Sequence, residues 1–248
     1  MGNRNVWGKS AEAIALIEET RRAGFDITAD AYPYTAWAST ITVLVPSRKH
    51  DDRAEVEKGL NNVGGPDKVL ITSHAANRTY EMRTMADIAA SKNISPVYLY
   101  IDIVKAGGAG LVCNSMNEDD VKAFYTQPWV MASSDGGIGS RHPRGTGTFT
   151  RVLGKFSREN KCFSLEDAVR KSSAMPAARL GLKDRGSIKK GMRADLVLFD
   201  PGTVIDRATF SEPQVFSTGI KGVFVNGVRV WDGEKVTGEE RLLVDLKE

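Results

Sequence analysis

Cysteine is scarce in this chain of 248 residues, with only Cys113 and Cys162 present. They form neither a Cys-x-x-Cys pair nor part of a larger array, which excludes a disulfide framework and fits a reducing compartment. Histidine is nearly as scarce. His50, His74 and His142 show no metal-ligand spacing, whereas a zinc site needs about three protein ligands, so no self-contained metal centre is expected. No apolar run approaches the roughly 18 residues of a membrane span, and Met1-Gly-Asn-Arg lacks the apolar segment of a signal peptide. The expectation is a cytoplasmic chain with no membrane partner. Nor is there an excess of one charge: 34 basic against 31 acidic residues give +3, too even to argue for nucleic acid. The basic residues also lack aromatic interleaving. Internal repeats and low-complexity tracts are absent. What is present is a 41% hydrophobic content, enough over this length for a sizeable core of one α/β domain or one and a half.

The chain is organised around Trp129-Val-Met-Ala-Ser-Ser-Asp-Gly136. An apolar run that stops at Asp-Gly reads as a buried parallel strand delivering Asp135 to its C-terminal end, where α/β folds place their chemistry. Asp135 is the catalytic candidate; the alternative is a residue that merely opens a turn. The next segment, Ser140-Arg-His-Pro-Arg-Gly-Thr-Gly-Thr-Phe149, sets Arg141, His142 and Arg144 among glycines that let backbone approach a ligand. Such a loop suits an anionic or carbonyl group.

Taken in order, Ser10 can cap a helix running to about Ala23, with Gly24 ending it. Phe25 to Ala31 reads as a strand running into Tyr32-Pro-Tyr34-Thr35, an aromatic and polar cluster at its C-terminal end. Helix, strand and polar loop in that order match one repeat of a (β/α) barrel. Residues from about 40 to 106 read as an insertion between barrel strands, with the charged run Arg48 to Arg53 as a solvated helix start and His50 as surface. Within it lie a strand from Lys68 to Ser73 that ends at His74, and helices over Met82 to Ala90 and Val97 to Ala106. An insertion at the catalytic end of a barrel serves as a lid or specificity wall. Leu111-Val-Cys-Asn114 is a further strand, and Asn117 caps the helix after it. Helices follow near Thr148 to Glu159 and after Ser164, which has Asp167 in capping-box position, with a short turn from Pro176 stopped by Gly181. From Gly186 short strands broken by Gly and Asn turns suggest a small β-subdomain, with Asn226-Gly227 as a hairpin signal.

Asp30-Ala-Tyr-Pro-Tyr-Thr-Ala36, Asn117-Glu-Asp-Asp-Val121, Met131-Ala-Ser-Ser-Asp-Gly136, His142-Pro-Arg-Gly-Thr-Gly-Thr-Phe149, Ala194-Asp-Leu-Val-Leu-Phe-Asp-Pro201 and Val223-Phe-Val-Asn-Gly227 together resemble the C-terminal half of the N-acyl-D-amino-acid deacylases (D-aminoacylases) of the amidohydrolase superfamily. The resemblance implies the C-terminal part of a (β/α)8 barrel with an insertion, over residues 1–185, and part of a β-sandwich subdomain over 186–248. It implies hydrolysis of the amide of a small N-acyl-D-amino acid at a zinc site. In that chemistry a strand-end carboxylate, matched by Asp135, takes a proton from the attacking water and returns it to the leaving amine. Arg144 is suited to hold the substrate carboxylate, with Arg141 as the alternative clamp and the Tyr32 or Tyr34 hydroxyls at the same end. Ser39 is a further contact candidate, and Trp37 reads as packing. The family's zinc ligands, a His-x-His pair, a bridging Cys and two more histidines, would precede Met1. From this chain Asp135 is the possible metal ligand; His74, at a strand end, is a lesser candidate that otherwise reads as a loop residue, and Cys113 reads as an inert buried thiol. The isolated chain is therefore expected to be inactive, and to need a missing N-terminal half or to self-associate. Two rival readings remain: an amidohydrolase of hydantoinase or dihydroorotase type acting on cyclic amides, and an inactive fragment serving as a structural half.

Overall fold

The computed structural model describes residues 2–137 and 139–237. Strands occur in the order β1 (Ala29–Ala31), β2 (Trp37–Thr40), β3 (Val69–Ser73), β4 (Arg83–Thr84), β5 (Gly110–Cys113), β6 (Val130–Ala132), β7 (Leu196–Phe199), β8 (Ile220–Val225) and β9 (Val228–Trp231). The helices are α1 (Ser10–Arg22), α2 (Arg53–Asn62), α3 (Met85–Lys92), α4 (Pro96–Lys105), α5 (Glu118–Tyr125), α6 (Arg144–Arg151), α7 (Leu165–Ser172) and α8 (Ala174–Arg179). The chain divides into two compact units, residues 1–27 with 34–124 and residues 28–33 with 125–248. The final stretch of the expected β-subdomain, 238–248, lies outside the described residues.

The first unit is built on an antiparallel sheet in the order β2-β5-β3-β4. Its core gathers Val69, Ile71 and Leu111 from the strands with Val56, Leu60, Ile88, Leu99 and Ile103 from the helices, all at most 4% exposed. α4 forms where Pro96 presets the first turn and Ser95 accepts from the Tyr98 N–H at 3.3 Å. Ser10 does not cap α1. The cap comes from far along the chain, where the buried Asp120 accepts from Gly8 N at 2.8 Å and Ser10 N at 3.2 Å. A carboxylate there also complements the positive end of the helix. His50 is more than surface, because its Nδ1 lies 2.8 Å from the hydroxyl of the buried Tyr100. His74 is buried rather than looped out, stacked on Tyr80 with Nδ1 2.9 Å from the Gly108 carbonyl. Cys113 is fully buried, and burial pushes its thiol up to about 11, away from reactive thiolate.

The second unit contains the parallel pair β1-β6 and the antiparallel sheet β7-β8-β9. The strand expected from Phe25 begins only at Ala29, because β6 offers partners from Val130 onward (Ala29↔Val130, Ala31↔Ala132), and Phe25 is exposed. Asn226 (φ +49°) and Gly227 (φ +82°) make the β8-β9 turn, both left-handed as a two-residue hairpin demands. Ser164 caps α7 by accepting from Asp167 N at 3.1 Å. The helix expected near Thr148 starts earlier, at Arg144, and continues past Arg151 as a π-helical stretch, Val152–Glu159. Gly145 and Gly147 are poor helix formers in isolation, but packing overrides that preference: the segment after β7 is stitched along the helix. Thr146 Oγ1 donates to Pro213 O at 2.8 Å, Thr150 and Ser217 hydroxyls meet at 2.6 Å, and Arg151 pairs with Asp206 at 2.8 Å.

Candidate active site

Three side chains meet where the parallel strands end. Tyr32 directly follows β1, and Asp135 lies just past β6, so both occupy the C-terminal edge that parallel sheets use for ligands. The two strand ends are tied together by the Ala31 carbonyl, which accepts from Ser133 N at 2.9 Å and from the Tyr125 hydroxyl. Behind β6 the fully buried Lys171 of α7 donates to the carbonyls of Gln127 and Val130, the latter at 2.9 Å. Burial pushes this amine down to about 8, the neighbouring Arg170 adding to the effect. Asp135 itself has φ +43°, a left-handed conformation that Asp tolerates better than most residues. Its neighbour Gly136 presses on α6: a Cβ there would lie 2.6 Å from the Gly145 Cα. The two glycines thus permit the carboxylate loop to rest against the first turn of α6.

Arg144, the first residue of α6, is 6% exposed, an unusual depth for a guanidinium. Its Nη2 lies 2.9 Å from an Asp135 carboxylate oxygen, and its Cζ sits 4.7 Å from the centre of the Tyr32 ring. Burial pushes the Tyr32 phenol up; Arg144 opposes this and Asp135 adds to it, so the hydroxyl stays protonated at neutral pH. Arg144 Nε is buried with no hydrogen-bond partner. A buried, charged donor without an acceptor costs free energy unless something fills the position, and a carboxylate is the acceptor whose two oxygens match the guanidinium fork.

Within the second unit the structure therefore brings Tyr32, Asp135 and Arg144 together. Arg141 is exposed while Arg144 turns inward. Tyr34 is buried at 4% exposure, and Ser39 is exposed on β2; both belong to the first unit. Trp37 is held by the Ser115 hydroxyl, to which its indole N–H donates at 2.8 Å. Two residues not singled out as ligands from the sequence also stand here. His142 is fully buried and packs edge-on against Tyr32 (6.1 Å) and Phe210 (5.2 Å). Phe210 had no local signal, since only the packing of the segment after β7 brings it in.

Among the described residues, no group of three His, Cys, Asp or Glu side chains is placed to hold a metal ion. Asp135 is the one carboxylate of this cluster and is engaged by Arg144. This donor set does not fit a zinc site by itself.

The sequence profile of the Amidohydrolase family matches residues 15–231. The N-acyl-D-glutamate deacylase of Alcaligenes xylosoxydans xylosoxydans is 36% identical over 91% of this chain and 42% of its own length. The D-aminoacylase of the same organism is 35% identical over 96% of this chain and 45% of its own. The chain thus spans less than half the length of the curated relatives it matches. It shares the α/β fold of a D-aminoacylase crystal structure with a TM-score of 0.80 and 36% identity, over 96% of this chain and 46% of that one. An N-acyl-D-glutamate deacylase from Bordetella bronchiseptica, solved with zinc and a phosphonate that mimics the tetrahedral intermediate, gives a TM-score of 0.78 at 34% identity, over 93% of this chain and 46% of that one.

Proposed function

This chain belongs to the amidohydrolase family, and we propose that it supplies the carboxylate base and the substrate clamp of an N-acyl-D-amino-acid deacylase whose zinc donors lie in protein outside this chain. The observation that carries the reading is the orphaned, buried Nε of Arg144 beside Asp135 and Tyr32. The α-carboxylate of an N-acyl amino acid is an acceptor of the right shape for that guanidinium, with the Tyr32 hydroxyl at its edge. Seating the carboxylate on Arg144 draws the guanidinium's charge away from Asp135. The freed carboxylate then accepts a proton from the attacking water and delivers it to the departing amine nitrogen. Arg141 stands outside in this scheme, and Tyr34 and Ser39 are proposed as further substrate contacts.

In the whole enzyme the activating metal is zinc, as in the zinc-bound relative; the residues described here do not assemble its ligand set. We propose further that residues 1–185 are the C-terminal part of a (β/α)8 barrel carrying an insertion at about 40–106, and that 186–248 are part of a β-subdomain. Support comes from β1 and β6, a parallel pair with no other strand beside it among the described residues. Parallel strands are stable as interior members of larger covered sheets.

The test is a deacylase assay with added zinc, first on the chain alone and then on the chain with a candidate N-terminal half. We expect no turnover alone and restored hydrolysis with the partner. Asp135→Asn in the reconstituted pair is expected to lower turnover by roughly two to four orders of magnitude. Zinc-dependent turnover by the chain alone would overturn the placement of the donors, and full activity of the Asn variant would remove Asp135 as the base. Inactivity in every combination would favour an inert structural fragment.

A further inference from the structure

His142 is fully buried, and the chemistry above gives it no part. Its Nδ1 accepts the backbone N–H of Arg144 at 3.0 Å. Pro143 between them is already helical, at φ −60° and ψ −14°, and provides no side-chain cap. The Arg144 N–H is therefore one of the opening donors of α6 that no intrahelical carbonyl reaches. A Ser, Thr, Asp or Asn oxygen commonly meets such a donor, but here an imidazole nitrogen does. The imidazole plane is set by edge-on packing against Tyr32 at 66° and Phe210 at 89°. That packing opposes a ring flip, which would put a carbon where Nδ1 now accepts.

We infer that His142 is the positioning residue for Arg144: its Nδ1, oriented by Tyr32 and Phe210, fixes the first residue of α6 so that the guanidinium lies over Tyr32 and beside Asp135. The inference rests on reading Arg144 as the substrate clamp. It requires the tautomer with its proton on Nε2, because Nδ1 must keep its lone pair. It also separates two properties of the side chain. His142→Asn keeps an acceptor near the Nδ1 position and loses the ring; His142→Phe keeps a ring against Tyr32 and Phe210 and loses the acceptor.

The experiment uses the full chain and its His142→Asn, His142→Phe and Arg144→Met variants, with N-acetyl-D-alanine as the probe. Nitrogen-15 spectra should show His142 Nδ1 unprotonated. The Arg144 amide should exchange with solvent roughly tenfold faster in His142→Phe and at the native rate in His142→Asn, the range expected for one lost hydrogen bond. Probe affinity should fall about threefold to tenfold in His142→Phe, recover in His142→Asn and be lost in Arg144→Met. A protonated Nδ1, or native exchange of the Arg144 amide in His142→Phe, overturns the positioning role. Unchanged probe binding in Arg144→Met overturns the clamp reading instead, and the exchange data then judge the positioning role alone. If His142→Phe does not fold, the tautomer in the native chain decides.

Discussion

Replacing Arg144 by Met should separate function from stability. The guanidinium is nearly buried, yet its partner Asp135 has a side chain 65% exposed, so the ion pair contributes at most about 1 kcal/mol after solvent screening. Stacking over Tyr32 adds about 1–2 kcal/mol. Against these stands the unpartnered Nε, whose burial costs about 1–3 kcal/mol. Met follows the same path with an apolar stem and brings no donor. Terms of similar size and opposite sign leave a net change within about 1 kcal/mol, a shift of about 2–4 °C in a chain of this length. Urea denaturation followed by far-ultraviolet circular dichroism measures it, beside a titration with an N-acyl-D-amino acid. The expected pair of results is near-native stability with binding lost. Destabilisation beyond about 3 kcal/mol would make Arg144 a structural keystone and refute the argument that its buried, half-satisfied state is retained for a ligand.

The buried Lys171 should impose a pH dependence on stability. With its amine lowered from the ordinary 10.5 to about 8, the unfolded chain holds a proton between those values that the native chain has released, so stability should rise with pH from about 8 toward 10.5. The full span is worth up to about 3 kcal/mol, and Lys171→Met should remove that slope in urea midpoints taken from pH 7.5 to 9.5. Gly136→Ala would place a Cβ 2.6 Å from the Gly145 Cα and push the Asp135 loop off α6; a loss of about 1–3 kcal/mol is expected in the same unfolding assay. Leu196, Val197 and Leu198 are 36–58% exposed on β7, an edge strand among the described residues. Val197→Lys should therefore reduce self-association measured by light scattering, and unchanged association would place the sticky surface elsewhere.

Sequence alone determined what short-range chemistry decides. The apolar run before Asp135 became β6, Ser164 capped α7 through Asp167, and Asn226-Gly227 turned the hairpin, because each depends on residues a few positions apart. The convergence of Tyr32, Asp135 and Arg144 was legible as well, since strand-end loops of a parallel pair face one edge. Other features were settled only by packing. Asp120 replaced Ser10 as the cap of α1, His50 found Tyr100, and β5 joined an antiparallel sheet with β2 and β3. Nothing in the spacing of Ser140 to Phe149 distinguishes Arg141 from Arg144. The helix beginning at Arg144 does so, turning one arginine inward and leaving the other exposed, and that helix is held by contacts from Asp206, Pro213 and Ser217 far along the chain. Such partners are invisible to periodicity because a contact across many residues depends on the shape of the folded core and on the chain entropy lost in closing the loop, neither of which a local pattern carries.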